Sequence, residues 1–237
     1  MDNLDNRYSR HYMLDEIGQS GQKKLSEAKV LIVGVGGLGS PIAIYLAGAG
    51  LGTIGIIDAD VVNVTNLHRQ VLYSSNQIGL PKVSCASERL KDLNPNVNVI
   101  CYPYFLDEDN ALEIISNYDI IVDGCDNFAT RYIIDNICSK LHKPYVFGAI
   151  TSFQGQVCVF NYNSKISYSQ LFPNIGEQDN QAVKRGVVGP TAAIIGSMQA
   201  AEVLKIICGF GDVLDGILFT YNVLNNESNS YKLATFF

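Results

Sequence analysis

The stretch Lys29–Asp60, KVLIVGVGGLGSPIAIYLAGAGLGTIGIIDAD, leaves few folds open to this chain. It reads as a buried strand over Val30–Val33, a glycine turn, a helix, and a second strand that ends at Asp58. Gly34, Gly36 and Gly39 stand at the G-x-G-x-x-G spacing, with Gly37 as an extra. The first glycine lets the chain turn sharply out of the strand, and the second lets backbone N–H groups come close to a phosphate. The third lets the helix lie against the sheet. A helix N-terminus carries unpaired N–H groups and a positive dipole end, so an anion is favoured there. Asp58 follows about 20 residues beyond the turn, where an acid accepts hydrogen bonds from a ribose hydroxyl. A bare glycine fingerprint also fits a tight turn that holds nothing. The flanking strands and the acid favour a nucleotide, without saying which one.

The rest of the chain continues the alternation. A polar loop over 59–70 contains Asn66, His68, Arg69 and Gln70. Gly79-Leu80-Pro81-Lys82 then opens a helix running to Leu93, with Pro81 suited to the first turn and Asn94-Pro95 as the stop. Strands are predicted over Val97–Tyr102, Asp119–Asp123 and Tyr145–Gly148, and helices over Asp107–Asn117 and Phe128–Lys140. Strands alternating with helices imply an α/β fold with a doubly wound, Rossmann-like, mostly parallel sheet. Past Gly148 the pattern changes to a strand over Gln156–Phe160 and a polar loop over Asn161–Arg185. A long apolar helix follows from Pro190 to Cys208, then an antiparallel pair over Leu218–Val223 and Tyr231–Phe236. A single domain, 1–237, is expected: a helical arm over 1–28, a nucleotide-binding core over 29–148, and a crossover loop, helix and antiparallel strands over 149–237. The long loop exceeds what compact domains normally use, which points to a lid or crossover.

Composition narrows the function. A net charge of −6 argues against a nucleic-acid surface, because phosphate backbones need a positive face. No apolar run is read as approaching the ~18–20 residues that span a bilayer, so no membrane partner is expected. The N-terminus MDNLDNRYSR lacks the character of a secretion signal. The six cysteines are scattered with no C-x-x-C pair, which fits free thiols and a cytoplasmic location.

In an open α/β sheet, ligands sit outside the C-terminal ends of the strands. Those ends carry the glycine turn, then Asp58 with Asn66 and Arg69, then Asp126 and Asn127, with Lys82 on the helix that follows. Taken singly, Arg69 and Lys82 could be surface charge and Asp126 the cap of the next helix. Jointly they form a site. A dinucleotide pyrophosphate is largely satisfied by the helix N-terminus, whereas a triphosphate needs cations and a carboxylate for Mg²⁺. Two or three cations and a spare Asp therefore favour ATP. None of the 13 tyrosines has Lys four residues on, which weakens a hydride-transfer reading.

The segments RYSRHYMLDEIGQSGQKKL, VLIVGVGGLGSP, IIDADVVNVTNLHRQVLYSSNQIGLPKV, VDGCDNFATRY, GQVCVF and GVVGPTAAIIGSMQAAEVLKI resemble the ThiF/MoeB/HesA family, the bacterial branch of the ubiquitin-activating-enzyme fold. The resemblance runs in order from Arg7 to Ile207. It implies an ATP-dependent adenylyltransferase that converts the C-terminal glycine carboxylate of a ubiquitin-like sulfur carrier into an acyl-adenylate, for thiazole or molybdopterin synthesis. By the same resemblance Gly37 and the glycine turn hold phosphate, Asp58 holds ribose, Asn66, Arg69 and Lys82 line the phosphates, and Asp126 holds Mg²⁺. Arg10 is implied to reach into the neighbouring subunit of a homodimer.

Many members of this family bind a structural zinc through two Cys-x-x-Cys pairs. This chain has Ser167-Tyr168-Ser169-Gln170 where the first pair would begin and no second pair in YKLATFF, so no zinc is expected. Some members link covalently to the carrier through a cysteine in the crossover loop. That position here is Ala182, and Cys125, nearest the glycine and Asp loops, is read as packing. Two other functions stay open from the sequence: a related ATP-using enzyme acting on a small or tRNA-borne carboxylate, and a non-catalytic nucleotide-binding scaffold.

Overall fold

A computed structural model describes residues 7–173 and 186–233. The N-terminal arm forms two helices, α1 (Ser9–Tyr12) and α2 (Gly18–Glu27). The core follows as β1 (Lys29–Val33), α3 (Gly39–Ala49), β2 (Thr53–Ile57), α4 (Lys82–Leu93), β3 (Asn98–Tyr102), α5 (Ala111–Ser116), β4 (Ile120–Asp123), α6 (Phe128–Leu141) and β5 (Tyr145–Thr151). The last part comprises β6 (Gln154–Phe160), α7 (Tyr168–Leu171), α8 (Gly189–Cys208), β7 (Ile217–Asn222) and β8 (Glu227–Lys232).

The eight strands among the described residues join in one sheet of order β3-β2-β1-β4-β5-β6-β7-β8. The first five are parallel, and β6, β7 and β8 add antiparallel. The order reverses between β1 and β4, so the crossovers leave that edge on opposite faces and a crevice opens at the strand ends. One hydrophobic cluster lies under α2, α3, α4 and α8, and a second under α5, α6 and α7. β1 is buried on both faces, with Val30, Ile32 in the first cluster and Leu31, Val33 in the second. Such a strand reads as a continuous apolar run because helices cover it on each side. Burying each such side chain contributes about 1.5–3 kcal/mol.

Several expectations need correction. The final strand is Glu227–Lys232, four residues earlier than Tyr231–Phe236, and residues 234–237 lie outside those described. The predicted loop after Asn161 contains the short helix α7. Asp135 holds that helix in place by accepting from Tyr168 N and Ser169 N at 2.8 and 3.0 Å. Ala182 falls outside the described residues. Helix α8 is 20 residues long and apolar enough to cross a membrane, contrary to the expectation that no run is that long. It packs on β5, β6 and α3, with Gln199 and Glu202 buried, as a core helix does.

Candidate active site

The crevice at the β1–β4 switch point is a cavity of about 1000 Å³. Its floor is the glycine turn. Gly34 leaves β1 with φ +88°, a left-handed conformation that glycine adopts without strain. A Cβ there would meet Gly124 O of the next strand end at 2.8 Å, and one on Gly39 would meet Gly34 O at 2.0 Å. Gly39 therefore brings α3 down onto the turn. Gly39, counted among the nucleotide-binding residues from the sequence, is not part of the cavity lining. Gly34, Gly36 and Gly37 do line it.

Asp58, at the end of β2, is buried, and both carboxylate oxygens accept backbone hydrogen bonds. Oδ2 accepts from Val35 N at 3.0 Å and Oδ1 from Asp60 N at 2.9 Å. The acid thus fixes the glycine turn while still facing the cavity. Lys82 enters from the first turn of α4, with Nζ 2.7 Å from Asp60 Oδ2 and 3.9 Å from Asp58 Oδ2. Its side chain is 5% exposed and that of Asp60 58%. Asp60, which the motif reading passed over, is the partner that a phosphate would compete with. Arg69 lines the same wall, with Nη1 on Thr65 O (3.1 Å) and His68 Nε2 (2.7 Å), and its Cδ and Cγ face Gly37.

Asp126 and Asn127 line the opposite lip and are exposed. The N-cap of α6 is Asn127, whose Oδ1 accepts from Thr130 N at 2.8 Å, rather than Asp126. Asp126 is thereby left without a capping duty. Asn66 is not part of the lining. Its carbonyl accepts from Arg69 N and Gln70 N, so within one chain it shapes the turn that carries Arg69. Arg10 is also away from this chain's cavity, on α1, with Nη1 3.8 Å from Met13 Sδ.

Two further features escaped the motif reading. Gln70, 3% exposed, lines the cavity beside Gly36, and its Oε1 has no hydrogen-bond partner among the described residues. Its place directly after Arg69 is the one sequence signal that marks it. Below the Asp126 lip lies an ion pair between Asp123 and Arg131, with Oδ2 to Nε at 2.9 Å and the side chains 0% and 8% exposed. Burial opposes the charge on Arg131, yet Asp123 beside it holds the guanidinium pKa above its ordinary value. Cys125 donates its thiol to Asp123 Oδ1 at 2.9 Å. Burial, then the negative charge of Asp123, push that thiol well above the usual range, so it stays protonated at neutral pH and is a poor nucleophile.

Carboxylate oxygen is the hard donor that Mg²⁺ prefers, and one or two carboxylates plus substrate phosphates normally suffice for it. Asp126, exposed at the cavity lip, fits that role. Ser167 and Gln170, where the first cysteine pair would begin, cap their own helix, and among the described residues no group of three or more His, Cys, Asp or Glu side chains is placed to hold a metal. From the glycine turn the cavity continues as a groove over β5 to β8, past Ile150, Gln154, Tyr221 and Tyr231.

The sequence pattern of the ThiF family matches residues 8–236. A sulfur carrier protein adenylyltransferase of Thermus thermophilus is 44% identical over 235 residues, covering 96% of this chain and 86% of that protein. A Porphyra purpurea protein named "Probable molybdopterin-synthase adenylyltransferase" is 44% identical over 230 residues, covering 96% of this chain and 60% of that one. Several of the curated relatives are longer, and the chain spans between 52% and 64% of four of them. Among solved structures, E. coli MccB with AMPCPP and MccA superposes with a TM-score of 0.85 at 26% identity, covering 98% of this chain and 73% of that one.

Proposed function

The chain belongs to the ThiF family, and from that premise we propose that it is an ATP-dependent adenylyltransferase. Its substrate is the C-terminal glycine carboxylate of a ubiquitin-like sulfur carrier, activated as an acyl-adenylate for molybdopterin or thiazole synthesis. One observation carries this reading. The glycine turn, Lys82, Arg69 and Asp126 converge on one cavity whose lining continues over β5 to β8. The names of the Thermus and Porphyra relatives support the carrier as the partner.

The chemistry follows from charge. A carboxylate approaching the α-phosphate is one anion meeting another, so the barrier is largely electrostatic. The backbone N–H groups of Gly36 and Gly37, with the α3 dipole behind them, receive phosphate oxygens. Lys82 exchanges Asp60 for a phosphate oxygen, and Arg69 adds a second positive charge on the same wall. Bound Mg²⁺, held by Asp126, would supply further neutralisation of the triphosphate. No general base is required, because the nucleophile arrives ionised. Asp58 faces the ribose, and Val33, Phe105 and Leu106 give the base an apolar wall.

The homodimer belongs to the same proposal. Arg10 lies away from its own cavity, and Val61, Val64, Val71, Ile78 and Leu80 are exposed together along 61–80, which supports a second copy there. Six free cysteines support a reducing, cytoplasmic setting. The test is ATP–pyrophosphate exchange with enzyme, Mg-ATP and a carrier ending in Gly-Gly. Carrier-dependent exchange is expected. Exchange that persists undiminished in Lys82→Ala and Asp126→Ala would refute the assignment of the site.

A further inference from the structure

Asp126 stands on the turn Gly124–Asn127, and its own exposed side chain does not determine where its carboxylate points. The turn is held from beneath. Asp123 Oδ1 accepts from Cys125 N at 2.9 Å, and its Oδ2 accepts from Arg131 Nε at 2.9 Å and Tyr145 OH at 3.1 Å. Arg131 Nη2 donates to Cys125 O at 3.0 Å and to Gly148 O of β5 at 3.4 Å. Gln199 of α8 donates to Asp123 O at 2.7 Å, which ties the strand end to the helix on the other face of the sheet.

Both peptide groups of Cys125 are therefore gripped by the pair, its N–H by Asp123 and its C=O by Arg131. A peptide unit is planar, so fixing Cys125 C=O also fixes the direction of Asp126 N–H and the way the chain enters Asp126. The guanidinium further lies 5.4 Å from the centre of the Phe147 ring, so the turn and β5 meet on one side chain. Only a fork of N–H groups can reach this many acceptors in fixed directions. A lysine keeps the charge and loses the fork.

We propose that Arg131, seated on Asp123, is a positioning residue for the activation reaction. It aims the Asp126 carboxylate into the cavity and so sets the metal dependence of the enzyme, leaving metal-free nucleotide affinity to the glycine turn and Lys82. The proposal rests on the reading that Asp126 holds the nucleotide's cation.

The experiment compares wild type with Arg131→Lys in the full chain. Exchange is titrated with Mg²⁺ at saturating ATP, and ATP binding is measured in EDTA by equilibrium dialysis. In the variant the Mg²⁺ midpoint should rise about tenfold and the exchange rate fall roughly 10–100-fold, the range for residues that orient a metal ligand. EDTA binding should change less than about twofold. A wild-type Mg²⁺ midpoint in the variant, whatever the loss of rate, would overturn the proposal, because a fold-supporting residue lowers the rate without moving the midpoint. If Arg131→Lys does not fold, isosteric Asp123→Asn takes its place with the same expectations. Failure of the wild type itself to exchange would instead bring down the adenylation reading, so the two failures are distinct.

Discussion

Two acid–cation groups flank the cavity, one at the end of β2 and one at the end of β4, and they are built for opposite ends. Lys82 sits between Asp58 and Asp60, and Asp60 is largely open to solvent, so the lysine's nearest partner can give way to a phosphate. Asp123 is fully buried and Arg131 nearly so at the cavity's edge, and the acceptors of Arg131 are Asp123, Cys125 O and Gly148 O. Carboxylate and cation chemistry is the same in both. Access separates them: in the proposed reaction the open pair meets the substrate, and the closed pair braces the loop that carries Asp126.

The largest expected effect falls on the open pair. Lys82→Ala should lower carrier-dependent pyrophosphate exchange by about 10²–10³-fold, the scale for removing one well-placed charge-stabilising group. Because solvent screens Asp60, the same change should cost only about 1 kcal/mol in urea unfolding. The closed pair inverts that balance. Arg131→Met leaves Asp123 charged and buried without a partner, which should cost about 3–5 kcal/mol by the same unfolding measurement. Equal stability losses in the two variants would erase the distinction between the pairs.

A smaller effect concerns the thiols near the closed side. Cys125 and Cys138 are pushed up by burial and by a nearby aspartate, and Cys158 to about 12 by burial and Asp215. In the folded chain these thiols keep their protons, whereas in the unfolded chain they titrate near the ordinary value of about 8.5. The folded state then binds more protons, so stability falls as pH rises above that value. At pH 9.5 each such thiol should cost about 1.4 kcal/mol relative to pH 7. Urea unfolding of Cys125→Ala across this range should lose that much less than wild type. An identical pH dependence would mean that Cys125 ionises freely in the folded protein.

Much of this architecture was legible in the sequence, for physical reasons. β1, β2 and β4 are apolar runs because they are covered on both faces, and a glycine directly follows β1 and β4. The glycine turn and Asp58 could be read because a strand–turn–helix–strand unit places glycines and an acid at fixed spacings. β8 could not, since every residue of ESNSYK is exposed and the strand exists through pairing with β7. Its apolar-looking neighbour YKLATFF drew the expectation too far along the chain. Helix α7 is four residues long, with a local Ser167–Gln170 capping box, and is held further by Asp135, more than 30 residues earlier. The Asp123–Arg131 pair was hidden for a similar reason: at eight residues apart across a turn, nothing in the spacing says the two side chains meet. Gly39 is a motif residue that packs α3 closely onto the turn.

The central claim is that Lys82, Arg69 and Asp126 surround one nucleotide and its metal. Crystals of the protein soaked with ATP and Mg²⁺ test it most directly. The account predicts phosphates over Gly36 and Gly37, Lys82 Nζ moved from Asp60 to a phosphate oxygen, and a cation at the Asp126 carboxylate. A cavity that stays empty, or a nucleotide bound with Lys82 still on Asp60 and no cation at Asp126, would contradict it.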